Sequence, residues 1–224
     1  MAFVSDNTLN GYIAPISGRR MRFGYEPTFG SQFWHQLSAD YRRYDPILFN
    51  FLTVATRFTG VVRAGRDETF FPNYIGNPNN FNSMWLRGYD RVNAINNFGC
   101  QPSIGASAGC NNTELLGSRA FVASTELRFP LIRRFELGVL PVQLPPVDGA
   151  LFFDAGMAWN GGQTPSLRRP ANFDPDTQRT LLRSYGYSLR VNLFNFALLR
   201  WDYAIPLDRP ERRGFWQWSL GRSY

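Results

Sequence analysis

Charged side chains recur at the middle of segments that otherwise alternate apolar and polar residues, and no other feature restricts this chain as strongly. Tyr185 to Leu193 sets Tyr185, Tyr187, Leu189, Val191 and Leu193 against Gly186, Ser188, Arg190 and Asn192. Side chains of a strand point alternately to its two faces, so one face here is oily and the other carries an arginine at mid-strand. Leu199 to Ile205 sets Trp201, Tyr203 and Ile205 against Arg200, Asp202 and Ala204. Ala150 to Trp159 sets Leu151, Phe153, Met157 and Trp159 against Phe152, Asp154 and Gly156, and Arg119 to Phe129 sets Phe121, Leu127 and Phe129 against Ser124, Glu126 and Arg128. Arg19 to Pro27, Phe33 to Tyr44 and Leu52 to Gly65 alternate in the same way. The last stretch, GFWQWSLGRSY, places Trp216, Trp218, Leu220 and Tyr224 on one face and Gln217, Ser219, Gly221 and Ser223 on the other.

Eight such segments predict an all-β chain. A small sandwich core could not hold Glu126, Asp154, Arg190, Arg200 and Asp202 without pairing nearly all of them. A soluble sandwich that buries the aromatic faces and wets the charged ones is the competing arrangement. An antiparallel transmembrane β-barrel satisfies both faces at once, with lipid outside and a polar lumen inside. Several of the segments are about 9–11 residues long, the length of a tilted strand that crosses a bilayer. Bulk hydropathy is neutral at −0.29, as alternating strands require, and no apolar run approaches the ~18 residues of a spanning helix. Aromatic residues make up 16% of the chain, which suits interfacial girdles.

The net charge is +7 and every one of the cationic side chains is arginine, since lysine is absent. These arginines are scattered at alternate strand positions and form no single patch, which argues against nucleic acid as a partner. Met1 to Asn10 lacks the basic flank and apolar run of a secretion signal. Connections alternate between short ones, Asp45-Pro46 and Asn195-Phe196, and long ones, Arg66 to Gly117 and Asn160 to Arg183, as the two ends of an outer-membrane barrel do. His35 stands beside Trp34 without catalytic companions, and no metal or nucleophile constellation is assembled, so no enzyme activity, metal or cofactor is expected. Cys100 and Cys110 lie in one long loop with nine residues between them. In an exported protein two such cysteines suggest a disulfide; in the cytosol they would be free thiols.

Three stretches resemble one family. Trp85-Leu86-Arg87-Gly88-Tyr89, followed by Asp90, is similar to the loop motif of the BamA/TamA-type assembly and translocation barrels, the bacterial surface antigen family. Phe152, Asp154 and Gly156 resemble that family's Phe-x-Asp-x-Gly strand, and WQWSLGRSY resembles its closing strand. One strand lies between the loop motif and the Asp strand, and three follow to the end, as in the family. The resemblance spans almost the whole chain and corresponds to the last eight strands of a sixteen-stranded barrel, with 66–117 as a long extracellular loop. The first barrel half, the periplasmic domains and the signal are absent from these residues.

The resemblance implies that the loop folds back into the lumen and that Arg87 meets Asp154, with Glu126 close by. A planar guanidinium suits that partnership, and Gly88 suits a tight loop tip. A solvated Arg87, with Asp154 paired to a strand arginine, is the alternative that the residues alone favour. The implied function is insertion or translocation of client polypeptides at the outer membrane of a Gram-negative bacterium, with outer-membrane lipid as the surroundings. A two-partner secretion transporter, a passive pore or surface antigen, and a membrane anchor for an upstream enzyme domain are the rivals. Eight strands alone would leave two unpaired edges and too narrow a lumen for the loop, so further strands or a second copy are expected.

Overall fold

The computed structural model describes residues 1–11, 13–48, 51–76, 84–89, 112–132, 135–136, 143–174, 176–193, 197–209 and 212–221. Its main element is one antiparallel sheet of ten strands, beside three two-stranded ladders in the connections. Nine of them follow one another across the sheet in chain order: β1 (Ala2–Asp6), β2 (Pro15–Thr28), β3 (Trp34–Ile47), β4 (Leu52–Ala64), β5 (Arg119–Ile132), β6 (Val147–Trp159), β7 (Leu182–Leu193), β8 (Ala197–Pro206) and β9 (Phe215–Gly221). The tenth, Leu9–Asn10, pairs with β2. Every neighbour in this order is antiparallel, so the chain meanders without crossovers, which is what short connections between sequential strands favour. No described helix is long and apolar enough to cross a membrane.

The eight segments expected from alternation appear as β2 to β9. Most are longer than the alternation suggested, with 14 residues in β2, β3 and β5 and 13 in β6, while β4 stops at Ala64, one residue short of the expected Gly65. The excess lies at strand ends, where polar residues and prolines mask the period-two pattern while the backbone ladder continues. β1 was not expected, because five residues with two charged or hydroxyl side chains carry no clear alternation. It pairs with β2 from Ala2 opposite Gly24 to Asp6 opposite Arg20.

One expected turn moves. Asp45 and Pro46 belong to β3, opposite Val54 and Thr53, and the chain reverses at Leu48 to Phe51. Pro46 is tolerated because it stands next to the strand end, where a missing donor matters little. Asn195-Phe196 lies outside the described residues. The ends of β2, β4, β6 and β8 fall on one side of the sheet, and the long connections 65–118 and 160–181 leave from that side. The connection 133–146 leaves from the opposite side, so the short turns there have an exception.

The two faces of the sheet separate as the alternation requires. Phe23, Leu37, Phe58, Leu151, Phe153, Tyr185, Tyr187, Trp201, Trp216, Trp218 and Leu220 are exposed on the outer face. Met157 is the exception to the expected outward set, since it is only 4% exposed, and Trp159 is half-buried against Phe121 at a ring distance of 6.2 Å. The apolar core does not lie between two sheets. It lies between the inner face of β5 to β7 and the segments 73–75 and 84–89, and comprises Tyr74, Ile75, Met84, Leu86, Tyr89, Leu115, Ala120, Val122, Ala158 and Leu182. That packing seats the Trp85–Tyr89 segment against the wall.

Candidate functional site

Strand register places the acidic partners. Glu126 on β5 stands opposite Phe152 on β6, and Ser124 stands opposite Asp154. Glu126 and Asp154 are therefore diagonal neighbours on one face, within reach of a single long side chain. Asp202 on β8 stands opposite Ser188 on β7 and Gln217 on β9, on the same face.

The segment from Met84 to Tyr89 delivers Arg87 to this wall. Leu86 is fully buried in the core, and its N–H donates to the Ile75 carbonyl at 2.7 Å. Arg87 is 2% exposed. Its Nε donates to Asp154 Oδ2 at 2.5 Å and its Nη2 to Asp154 Oδ1 at 2.6 Å, a bidentate fork. Nη1 donates to Glu126 Oε1 at 2.7 Å, and Nη2 also reaches Ser124 Oγ at 2.8 Å. The guanidinium carbon lies 3.5 Å from the centroid of the Phe152 ring, so the cation is stacked as well as bridged. Burial alone would loosen its hold on the proton, but Asp154 and then Glu126 outweigh that and raise its proton affinity above that of a free guanidinium.

The residues on either side of Arg87 fix the loop tip. Gly88 has φ +86°, and a Cβ there would meet the Ser184 Cβ at 3.3 Å and the Ala204 Cβ at 3.5 Å. Both facts favour glycine at this position. Its N–H donates to Gln217 Oε1 on β9 at 3.0 Å. Tyr89 donates its hydroxyl to the Arg183 carbonyl at 2.8 Å and accepts the Asp208 N–H at 3.3 Å. Burial raises that phenol above its ordinary range, and the Asp208 carboxylate raises it further. The Trp85 ring lies 4.3 Å beneath the Arg200 guanidinium. Gly156, at the end of the Phe-x-Asp-x-Gly set, is where a Cβ would meet Val122 Cγ2 at 3.0 Å and Leu86 Cδ2 at 3.5 Å. Its bareness lets the loop lie close to β5 and β6.

Glu126 also takes Arg190 at 2.5 Å, Arg128 at 2.8 Å and Arg200 at 3.1 Å, while Arg200 reaches Asp202 at 2.9 Å. Four guanidinium groups thus surround three buried carboxylates. Such a cluster is held by mutual pairing, because any member left alone would be a buried uncompensated charge. The bidentate partner of Asp154 is the loop arginine.

The structure brings Trp85, Leu86, Arg87, Gly88 and Tyr89 together with Glu126, Phe152, Asp154 and Gly156. Trp216, Trp218 and Leu220 are elsewhere, exposed on the outer face of β9. Tyr224, Cys100 and Cys110 lie outside the described residues. Ser124, Asp202 and Gln217 were not singled out as partners of the motif. Their signal was present in their position on the polar faces of β5, β8 and β9, but only register shows which of those positions align. Among the described residues no group of His, Cys, Asp and Glu is spaced to hold a metal.

No curated protein matches this chain. Among solved structures it is similar to the crystal structure of BamA from Haemophilus ducreyi lacking POTRA domains 1–3, with a TM-score of 0.62 and 18% identity. That match covers 98% of this chain and 41% of the other, so this chain spans about two fifths of the chain it resembles and shares the fold of that part. The Omp85 superfamily domain is recognised over residues 3–224, and with the antiparallel sheet and the loop packed on its inner wall, this places the chain in the Omp85 superfamily.

Proposed function

We propose that this chain is the C-terminal part of an outer-membrane barrel in a Gram-negative bacterium, where it inserts or translocates client polypeptides. The observation that carries this reading is the membership of the Omp85 superfamily across residues 3–224. The exposed aromatic and aliphatic face of β2 to β9 fits lipid, and the charged face with Arg87 fits a lumen. The connection 66–117 is then an outer loop whose Arg-Gly-Tyr tip is anchored inside.

The roles of the parts follow from their chemistry. β9 is the last strand in the sheet order, so its outer edge is the natural place for an incoming strand to pair. The Arg87 cluster holds the loop tip against β5 to β9 and sets the shape of the inner wall on that side. None of these groups is arranged for covalent chemistry, and the work is done by pairing, packing and charge.

Depletion in the native host tests this. A fall in the folded amounts of several unrelated outer-membrane barrels is the expected result. Loss of one secreted protein with other barrels unchanged would make the chain a dedicated transporter, and no change in either would overturn the assembly reading.

A further inference from the structure

The inner wall is divided into two electrostatic halves. On β5 to β8 the arginines are matched by carboxylates and covered by the loop tip. On β2 to β4 a different arrangement appears. Arg20 stands opposite Arg42, and Arg42 stands opposite Arg57, so three arginines form a row across three adjacent strands. Arg22 sits one inward position along β2, opposite Asp40. This row faces the lumen, because Arg57 stands opposite Ser124, which in turn stands opposite Asp154.

Like charges placed directly opposite each other weaken a sheet. The compensation here is thin. Asp40 is shared by two of the four, with Arg42 at 2.6 Å and Arg57 at 2.9 Å. Arg20 reaches Asp6 only at 3.6 Å, with both side chains about 40% exposed. Arg22 is exposed and makes no ion pair with a described residue. Glu26 lies farther along β2, level with Gln36 and Arg63. Where Arg87, Gly88 and Tyr89 bond to the sheet they do so on β5 to β9, and among the described residues none of the three pairs with or bonds to Arg20, Arg22, Arg42 or Arg57.

The geometry points to a docking wall for acidic stretches of a polypeptide in the lumen, formed by Arg20, Arg22, Arg42 and Arg57. This rests on the reading of the chain as a barrel that handles polypeptides, and it names the client chemistry. Adjacent strands are about 4.8 Å apart, so the row presents guanidinium forks over roughly 10 Å. Forks so spaced suit successive carboxylates, which they grip in pairs of parallel hydrogen bonds. Lipid phosphate is the disfavoured occupant, because the same strands turn Phe23, Leu37 and Phe58 to the opposite face.

The test is binding of fluorescent deca-glutamate and deca-lysine to the purified protein in detergent, read by anisotropy. Wild type should prefer deca-glutamate, with affinity that falls as salt rises. The Arg20→Gln/Arg22→Gln double variant, which removes the two least engaged members, should bind it roughly tenfold more weakly. Arg43→Gln, on the opposite face of β3, should bind as wild type does. Equal binding of the two peptides, an unaffected double variant, or an equal loss in Arg43→Gln would each overturn the proposal. The depletion experiment reads assembly in the cell independently. Peptide preference lost while assembly persists sinks only the docking wall; preference retained without any assembly effect sinks only the assembly reading.

Discussion

Arg87 and Asp154 are 67 positions apart in the chain, and each is almost completely shielded from solvent. They meet edge to edge, Nε on Oδ2 and Nη2 on Oδ1, with Glu126 taking the remaining nitrogen. Without the other, each would be a buried charge short of its bidentate partner. The pair therefore ties a long loop to a strand wall.

Arg87→Ala and Asp154→Ala should each destabilise the folded barrel by about 3–5 kcal/mol, since each leaves a buried charge without its partner. The double variant should be little worse than either single, because the groups act as a unit. Urea unfolding in detergent, followed by tryptophan fluorescence, measures all three. Additive losses would show that the two residues do not communicate.

Gly88→Ala asks for a side chain at φ +86° and against Ser184. The backbone term alone is about 1–2 kcal/mol. The expected phenotype is a loop tip that is cut faster by protease at unchanged strand content. Protection equal to wild type would mean that the loop reaches the wall without this turn.

Gln217→Leu removes the acceptor for the Gly88 N–H while keeping an apolar body of similar size at a buried position. Leaving that donor unpaired should cost about 1–3 kcal/mol. Faster amide exchange confined to β9 and the loop tip is expected. Exchange that rises evenly over all strands would point to a general loss of stability instead.

Leu189→Arg places a charge on the outer face of β7. It should cost about 2–4 kcal/mol in lipid vesicles if the position is near the bilayer midplane. The reverse change on the inner face, Arg190→Leu, should act differently, by stripping Glu126 of a partner at 2.5 Å. A Leu189→Arg barrel that folds into vesicles as readily as wild type would contradict a lipid-facing β7.

The sequence by itself determined the strands and their two faces. Alternation is a local property, so Tyr185, Tyr187 and Leu189 part from Ser188 and Arg190 whatever β7 pairs with. Resemblance supplied the partnership of Arg87 with Asp154 and Glu126, which spacing could not, because a separation of 67 positions along the chain carries no geometry. Tertiary structure alone decided what depends on register. It aligned Arg20, Arg42 and Arg57 in one row, brought Gln217 under Gly88, set Asp202 beside Ser188, and carried β3 through Pro46 before the turn. It also buried Met157 on a face otherwise exposed, and paired Ala2–Asp6 with β2. Side-chain period is fixed within a strand, but the offset between strands is set by turn lengths and by the summed contacts of the whole ladder, and no one segment encodes that sum.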